Sequence, residues 1–216
     1  QVIQTQPRLT VDVSKGYSLG HAIPTDTIFQ SGIEVCAGIG MMGEGIKSFG
    51  ITIQATNDLQ FELGSFQSRQ GQQNVLIGDV GDPAIVAGLH AAYPRPTMVS
   101  GGFSCQPWSQ LGDRGGTSDP RSGSLVKILR TAYWLRAHTI LLECVELAGQ
   151  DKEVQAVLQE FCRITQFGKS QTNLHLHTLL PTRRSRWWCL LTNPSEPVCP
   201  FRELPKLDKV PVLADL

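Results

Sequence analysis

A cysteine placed between a glycine pair and a Gln-Pro step is the first residue here whose setting implies chemistry: Gly101-Gly102-Phe103-Ser104-Cys105-Gln106-Pro107-Trp108-Ser109. A lone cysteine usually serves as a small core residue. The Gly-Gly turn and the Gln-Pro break instead put Cys105 on a loop, where a thiolate can act as a nucleophile. Glu143 is the second candidate. It follows the apolar run Ile140-Leu141-Leu142, and a carboxyl group held partly out of water at the end of such a run is suited to donating a proton; the ordinary alternative is a surface glutamate. The third group is Thr182-Arg183-Arg184-Ser185-Arg186, three guanidinium groups on one short connection. Basic patches usually stay solvated, but these can contact phosphate and position a base.

A second set of residues is suited to holding a nucleoside. Gly38-Ile39-Gly40-Met41-Met42-Gly43 is a GxGxxG, whose glycines permit a tight turn and close approach of a ligand to the backbone. Asp58 lies 20 residues after Gly38, where an acid can accept hydrogen bonds from ribose hydroxyls, and Gly78-Asp79 supplies an acid for an adenine amino group. An ordinary strand-to-helix turn is the bland reading of these glycines, and a nicotinamide-linked dehydrogenase is the functional competitor that nothing up to this point excludes.

Positioning these groups requires strands that end at a common edge. Seven short β-rich runs are legible: Ile33–Cys36, Ile51–Ala55, Asn74–Ile77, Thr97–Ser100, Thr139–Leu142, Leu174–Leu179 and Trp187–Leu191. Segments long enough for crossover helices separate the first five, such as Ser124–Arg136 with Leu125, Ile128, Leu129, Ala132 and Leu135 at helical spacing. That alternation predicts an α/β, Rossmann-like, mostly parallel seven-stranded sheet. The last two runs are joined too closely for a crossover, so the last strand is expected to be antiparallel. Expected divisions are an N-terminal segment 1–30, a catalytic domain 31–192 and a Pro-rich tail or linker 193–216.

Bulk properties narrow the setting. The 216 residues are 41% apolar, enough for one sizeable core. Nineteen Lys and Arg balance nineteen Asp and Glu, so any nucleic-acid contact must come from a local patch rather than from the overall field. Six cysteines lie far apart with no CxxC pair, which points to reduced thiols and no metal site. No signal peptide or membrane-length apolar run is visible. An intracellular location is expected, nuclear in a eukaryote and cytoplasmic in a prokaryote.

In this order the motifs resemble those of the cytosine-C5 DNA methyltransferase family over most of residues 16–191. Gly102-Phe103-Ser104-Cys105-Gln106-Pro107-Trp108-Ser109 is similar to the G-F-P-C-Q-P-F-S catalytic loop, and Glu34-Val35-Cys36-Ala37-Gly38-Ile39-Gly40 to the D-L-F-A-G-x-G cofactor motif. Asn57-Asp58 resembles N-E, Gly78-Asp79-Val80 resembles G-D-I, and Asp119-Pro120-Arg121-Ser122-Gly123-Ser124-Leu125 resembles D-x-R-G-x-L. Glu143-Cys144-Val145 resembles E-N-V, and Thr182-Arg183-Arg184-Ser185-Arg186 resembles Q-x-R-x-R.

The resemblance implies S-adenosyl-L-methionine rather than a nicotinamide, bound by Glu34, Cys36, Gly38, Gly40, Asp58, Asp79, Val80 and Leu125. It further implies that Cys105 adds to C6 of a cytosine flipped out of the helix, with Glu143 on N3 and Arg184 holding the base. Gln106, Ser109, Arg183 and Arg186 would contact the substrate strand. Departures are Cys36 for the aromatic residue that packs on adenine, Cys144 for Asn, expected to remove a supporting hydrogen bond, and Thr182 for Gln. Leu19-Gly20-His21-Ala22-Ile23-Pro24 resembles the family's closing G-N-x-V-P motif, which implies a circularly permuted order. The target-recognition region has no counterpart, so a missing segment or a partner is expected to supply it. DNA is the expected substrate, ahead of transfer RNA; a catalytically idle regulatory module is the alternative of a different class.

Overall fold

The computed structural model describes residues 30–72, 74–108, 115–116, 119–175 and 184–194. In chain order these form β1 (Ser31–Val35), α1 (Met41–Lys47), β2 (Thr52–Asp58), α2 (Phe61–Arg69), β3 (Val75–Ile77), α3 (Pro83–Ala92), β4 (Met98–Gly102), α4 (Ser124–Trp134), β5 (Thr139–Val145), α5 (Glu146–Gln150), α6 (Lys152–Thr165), β6 (Gly168–His175) and β7 (Ser185–Thr192). A short 3-10 turn over Pro120–Gly123 leads into α4.

The strands form one sheet in the order β3-β2-β1-β4-β5-β7-β6. β1 to β5 pair parallel, and β7 runs antiparallel between β5 and β6. This is the doubly wound, mostly parallel sheet that the crossover spacing predicts. Parallel pairing brings the carboxyl ends of β1, β2, β4 and β5 to one edge. The register sets Val35 beside Gly101 and Gly102 beside Glu143.

One expected strand is displaced. The sequence favours Leu174–Leu179, but β6 spans Gly168–His175, and residues 176–183 lie outside the described residues. β6 is an edge strand whose half-buried and exposed residues alternate, with Lys169, Gln171 and Asn173 on the exposed side. Its polar residues give no hydrophobic signal; an eight-residue ladder with β7 places it. The Leu19–Pro24 motif and the tail from 195 onward also lie outside the described residues.

Two packed faces hold the sheet. Ile33, Val35, Val99, Ile140 and Leu142 are fully buried under Leu89 of α3, Leu125, Ile128 and Leu129 of α4, and Val154 and Leu158 of α6. The spacing of three and four along α4 and α6 puts these side chains on one stripe. Each such buried aliphatic side chain contributes roughly 1.5–3 kcal/mol of transfer free energy. On the other face Ile46 of α1 packs with Ile51 and Ile53. Helix starts are set locally: Asp82 caps α3 through Ala84 N–H, ahead of Pro83, and Asp151 caps α6 through the N–H groups of Glu153 and Val154. Among the described residues no helix is long and apolar enough to cross a membrane.

Candidate active site

Where β1 ends, the chain turns sharply. Gly38 and Gly40 have φ of 57° and 81°, a left-handed conformation that costs glycine little. The turn is tied down from two sides. Gly38 N–H donates to Asp58 Oδ2 at 2.8 Å, and Gln67 Nε2 of α2 donates to Gly38 O at 2.5 Å. A β-carbon at Gly38 would meet nothing within 4 Å, so the turn leaves open space above its backbone.

The predicted acids gather beside this turn. Asp58, almost fully buried, also accepts from Gln60 N–H at 3.0 Å. Asp79 accepts from Gly81 N–H at 2.8 Å and from Lys127 Nζ at 2.5 Å, and Lys127 holds its carboxyl below the usual range. Cys36 sits within the field of all three: burial pushes its thiol up to about 12, Asp58 and Asp79 add to that, and Lys127 opposes it. Val80 and Leu125 are nearly fully buried members of the main core, where Val80 O accepts from Thr131 Oγ1.

Glu34 occupies a different position from the acids at the edge. Only 2% exposed, it lies against Gly43 beneath α1 and lines a cavity of about 280 Å³ with Gly40, Thr56 and Gln67. Burial raises its carboxyl to about 7, against the lowering effect of Gly43 N–H and Lys47. A side chain at residue 43 would collide with this carboxyl, which explains the third glycine of the motif by close packing.

Beyond β4 the cysteine turn begins. Cys105 is exposed, and its carbonyl accepts from Trp108 N–H at 3.0 Å, closing a turn over Gln106 and Pro107. Gln106 is held in turn: its Oε1 accepts from Arg121 Nη1, while the Arg121 guanidinium forks onto Asp119. The D-x-R motif therefore braces the cysteine turn. Ser109 and Arg183 lie outside the described residues.

Glu143, at the end of β5, is one-fifth exposed by side chain. Its Oε1 pairs with Arg186 Nε at 2.7 Å, whereas Arg184 Nη2 stands 4.0 Å away and is more than half exposed. Glu143 Oε2 lies toward β4, 3.5 Å from where a β-carbon on Gly102 would be. With Arg186 on one oxygen, the other faces the strand that leads to Cys105. Cys144 keeps a supporting contact that its substitution for Asn was expected to lose. Its Sγ lies 3.6 Å from Phe103 O, and burial pushes its thiol above the cysteine range, so the sulfur stays protonated and able to donate.

The structure brings Cys36, Gly38, Asp58 and Asp79 to one side of the sheet edge and Cys105, Gln106, Glu143 and Arg186 to the other. Sequence reasoning missed Lys127 on Asp79, Gln67 on Gly38 and Asp151 on Trp108, whose Nε1 donates to Asp151 Oδ2 at 3.1 Å. Each joins elements 29 to 48 residues apart, so no local pattern announces it. Among the described residues Cys36, Cys105, Cys144, Cys162 and Cys189 are free thiols.

Residues 30–206 match the family model described as C-5 cytosine-specific DNA methylase. No curated protein matches the sequence. Among solved structures, a protein of an E. coli prophage described as a DNA modification methyltransferase superposes with a TM-score of 0.63 at 15% identity, over 76% of this chain and 47% of that one. The S. pombe Dnmt2 methyltransferase gives 0.61 at 17%, over 79% and 51%. A Spodoptera frugiperda DNMT2 variant gives 0.63 at 22%, over 84% and 57%. At these identities the likeness is one of fold, and the chain spans about half the length of the structures it matches.

Proposed function

Since the chain belongs to the C-5 cytosine-specific DNA methylase family, we propose that it methylates C5 of cytosine in DNA through a covalent adduct on Cys105. The observation that carries this reading is the pairing of Gly102 with Glu143. It sets an exposed thiol three residues beyond one strand position and a carboxyl oxygen over that same position.

The residues around the first turn fit S-adenosyl-L-methionine. The space over Gly38 admits a ligand against the backbone, and Asp58 and Asp79 offer acceptors for ribose hydroxyls and an adenine amine. Each of these carboxylates has lone pairs beyond the bonds it already makes. The cofactor supplies the methyl group.

Protein side chains do the rest. Cys105 Sγ adds to C6 of a cytosine withdrawn from its stack, which raises electron density at C5. Glu143 Oε2 meets N3 and protonates it, relieving the charge that the addition puts on the ring. Arg186 fixes Glu143 through Oε1, and exposed Arg184 contacts the substrate strand beside it. Loss of the C5 proton to a base then restores the C5–C6 double bond and expels Cys105 as thiolate, and N3 returns its proton to Glu143.

The test is methyl transfer from isotopically labelled cofactor to DNA and, separately, to transfer RNA, with nucleosides resolved by mass spectrometry. The reading predicts labelled 5-methylcytosine in DNA. Label found only in RNA would overturn the choice of substrate. No label in either polymer, with cofactor bound, would overturn the enzymatic reading and favour a regulatory module.

A further inference from the structure

The Cys105 side chain is exposed, so its position depends on what holds its backbone. That backbone is tied through Trp108, whose N–H donates to Cys105 O at 3.0 Å. Trp108 is itself immobilised. Its ring packs edge-on against Phe103 with centroids 5.5 Å apart, and Phe103 in turn packs against Trp187 of β7. The indole Nε1 donates to Asp151 Oδ2 at 3.1 Å. Asp151 is already committed by its other oxygen, because Oδ1 accepts from Glu153 and Val154 N–H and caps α6.

One carboxylate thus joins two jobs, starting α6 and anchoring the far side of the cysteine turn. The returning chain reaches the same place: Gly116 N–H donates to Pro107 O at 3.0 Å, and a β-carbon on Gly116 would stand 3.8 Å from Asp151 Oδ2. Both limbs of the loop therefore converge on the N-terminal cap of α6.

We infer that Trp108 and Asp151 form a latch that sets the placement of the Cys105 thiol, acting as positioning residues for the nucleophile. The inference rests on the nucleophilic role proposed for Cys105. An aromatic ring alone would fill the space beside Phe103; the indole N–H adds direction, fixing the rotation of the ring and with it the turn three residues upstream. Attack on C6 requires the sulfur within near-contact distance and correct alignment, and displacements on the order of 1 Å cost large factors in rate. The latch should therefore appear in the chemical step rather than in binding.

Two substitutions remove the same bond from opposite ends. Trp108→Phe keeps the aromatic packing and loses the donor. Asp151→Asn keeps Oδ1 for the helix cap, since asparagine caps as well as aspartate, and presents an amide donor to the indole in place of an acceptor.

The measurement is the rate of covalent adduct formation with a duplex carrying 5-fluorocytosine in the presence of S-adenosylmethionine, using the full chain. Alkylation of Cys105 by iodoacetamide, followed by peptide mass spectrometry, and cofactor affinity are read in parallel. Each variant is expected to form adduct about tenfold more slowly, with duplex and cofactor affinity within about twofold of wild type, as for loss of one hydrogen bond to a charged acceptor. The double variant is expected to be no slower than either single one, because both act through one bond. Wild-type rates in both single variants, or multiplied losses in the double, would overturn the latch. Absence of adduct in the wild type is a failure of the function reading instead. The iodoacetamide rate then still tests the latch, which predicts an altered Cys105 reactivity in both variants and is overturned if neither differs from wild type.

Discussion

Arg186 Nε stands 2.7 Å from Glu143 Oε1, across the antiparallel pair of β5 and β7. Both side chains are about one-fifth exposed, so the pair is screened less than a surface ion pair. The guanidinium takes one carboxylate oxygen and leaves the other toward the cysteine strand. The sequence resemblance gives the base-holding role to Arg184, but the geometry gives Arg186 the direct hold on Glu143.

This separates the two arginines kinetically. Arg186→Ala is expected to lower turnover by about 10- to 100-fold, because the carboxyl loses its fixed orientation in a partly desolvated site. Arg184→Ala is expected to act mainly on substrate affinity, raising KM severalfold with a smaller change in kcat. Steady-state kinetics on both variants check this, and equal effects on kcat would assign the hold on Glu143 to both.

How much of this is legible in the sequence varies by residue. The glycine turn, the acids Asp58 and Asp79, and the strand ends that lead to Cys105 and to Glu143 are local patterns, and each is legible in the sequence. Strand β6 is not, because its alternation is of polar residues on an edge and only pairing with β7 defines it. Glu34 reads as a cofactor residue from its motif, yet it packs beneath α1 against Gly43. The Lys127 and Asp151 contacts depend on helices returning across the sheet, which spacing along the chain does not encode.

Glu34 also makes stability depend on pH. Its carboxyl has an ordinary value of 4.5 and is raised to about 7 by burial. The folded state therefore binds this proton more tightly than the unfolded chain. Its contribution is fully present below about 4.5, declines as pH rises, and is lost above about 7, a change on the order of 3 kcal/mol. Glu34→Gln, which can still accept from Gly43 N–H, is expected to match wild type near pH 4 and exceed it near pH 8. Urea midpoints across this range check the difference; parallel curves would contradict it.

Gly149 of α5 seats that helix on β7. A β-carbon there would be driven into the indole of Trp187, itself buried at 2% exposure. Gly149→Ala is expected to cost about 1–3 kcal/mol through overpacking, read as a lowered thermal midpoint. Displacing Trp187 would press on Phe103, whose ring centroid lies 6.2 Å from that of Trp187, so adduct formation should slow as well.

The most direct test of the nucleophile is a covalent trap. Incubated with S-adenosylmethionine and DNA containing 5-fluorocytosine, the protein is expected to form a stable complex whose peptide map places the base on Cys105. Cys105→Ser should abolish it while leaving cofactor affinity nearly unchanged. An adduct that persists in Cys105→Ser, or none in wild-type protein that demonstrably binds cofactor, would contradict the account.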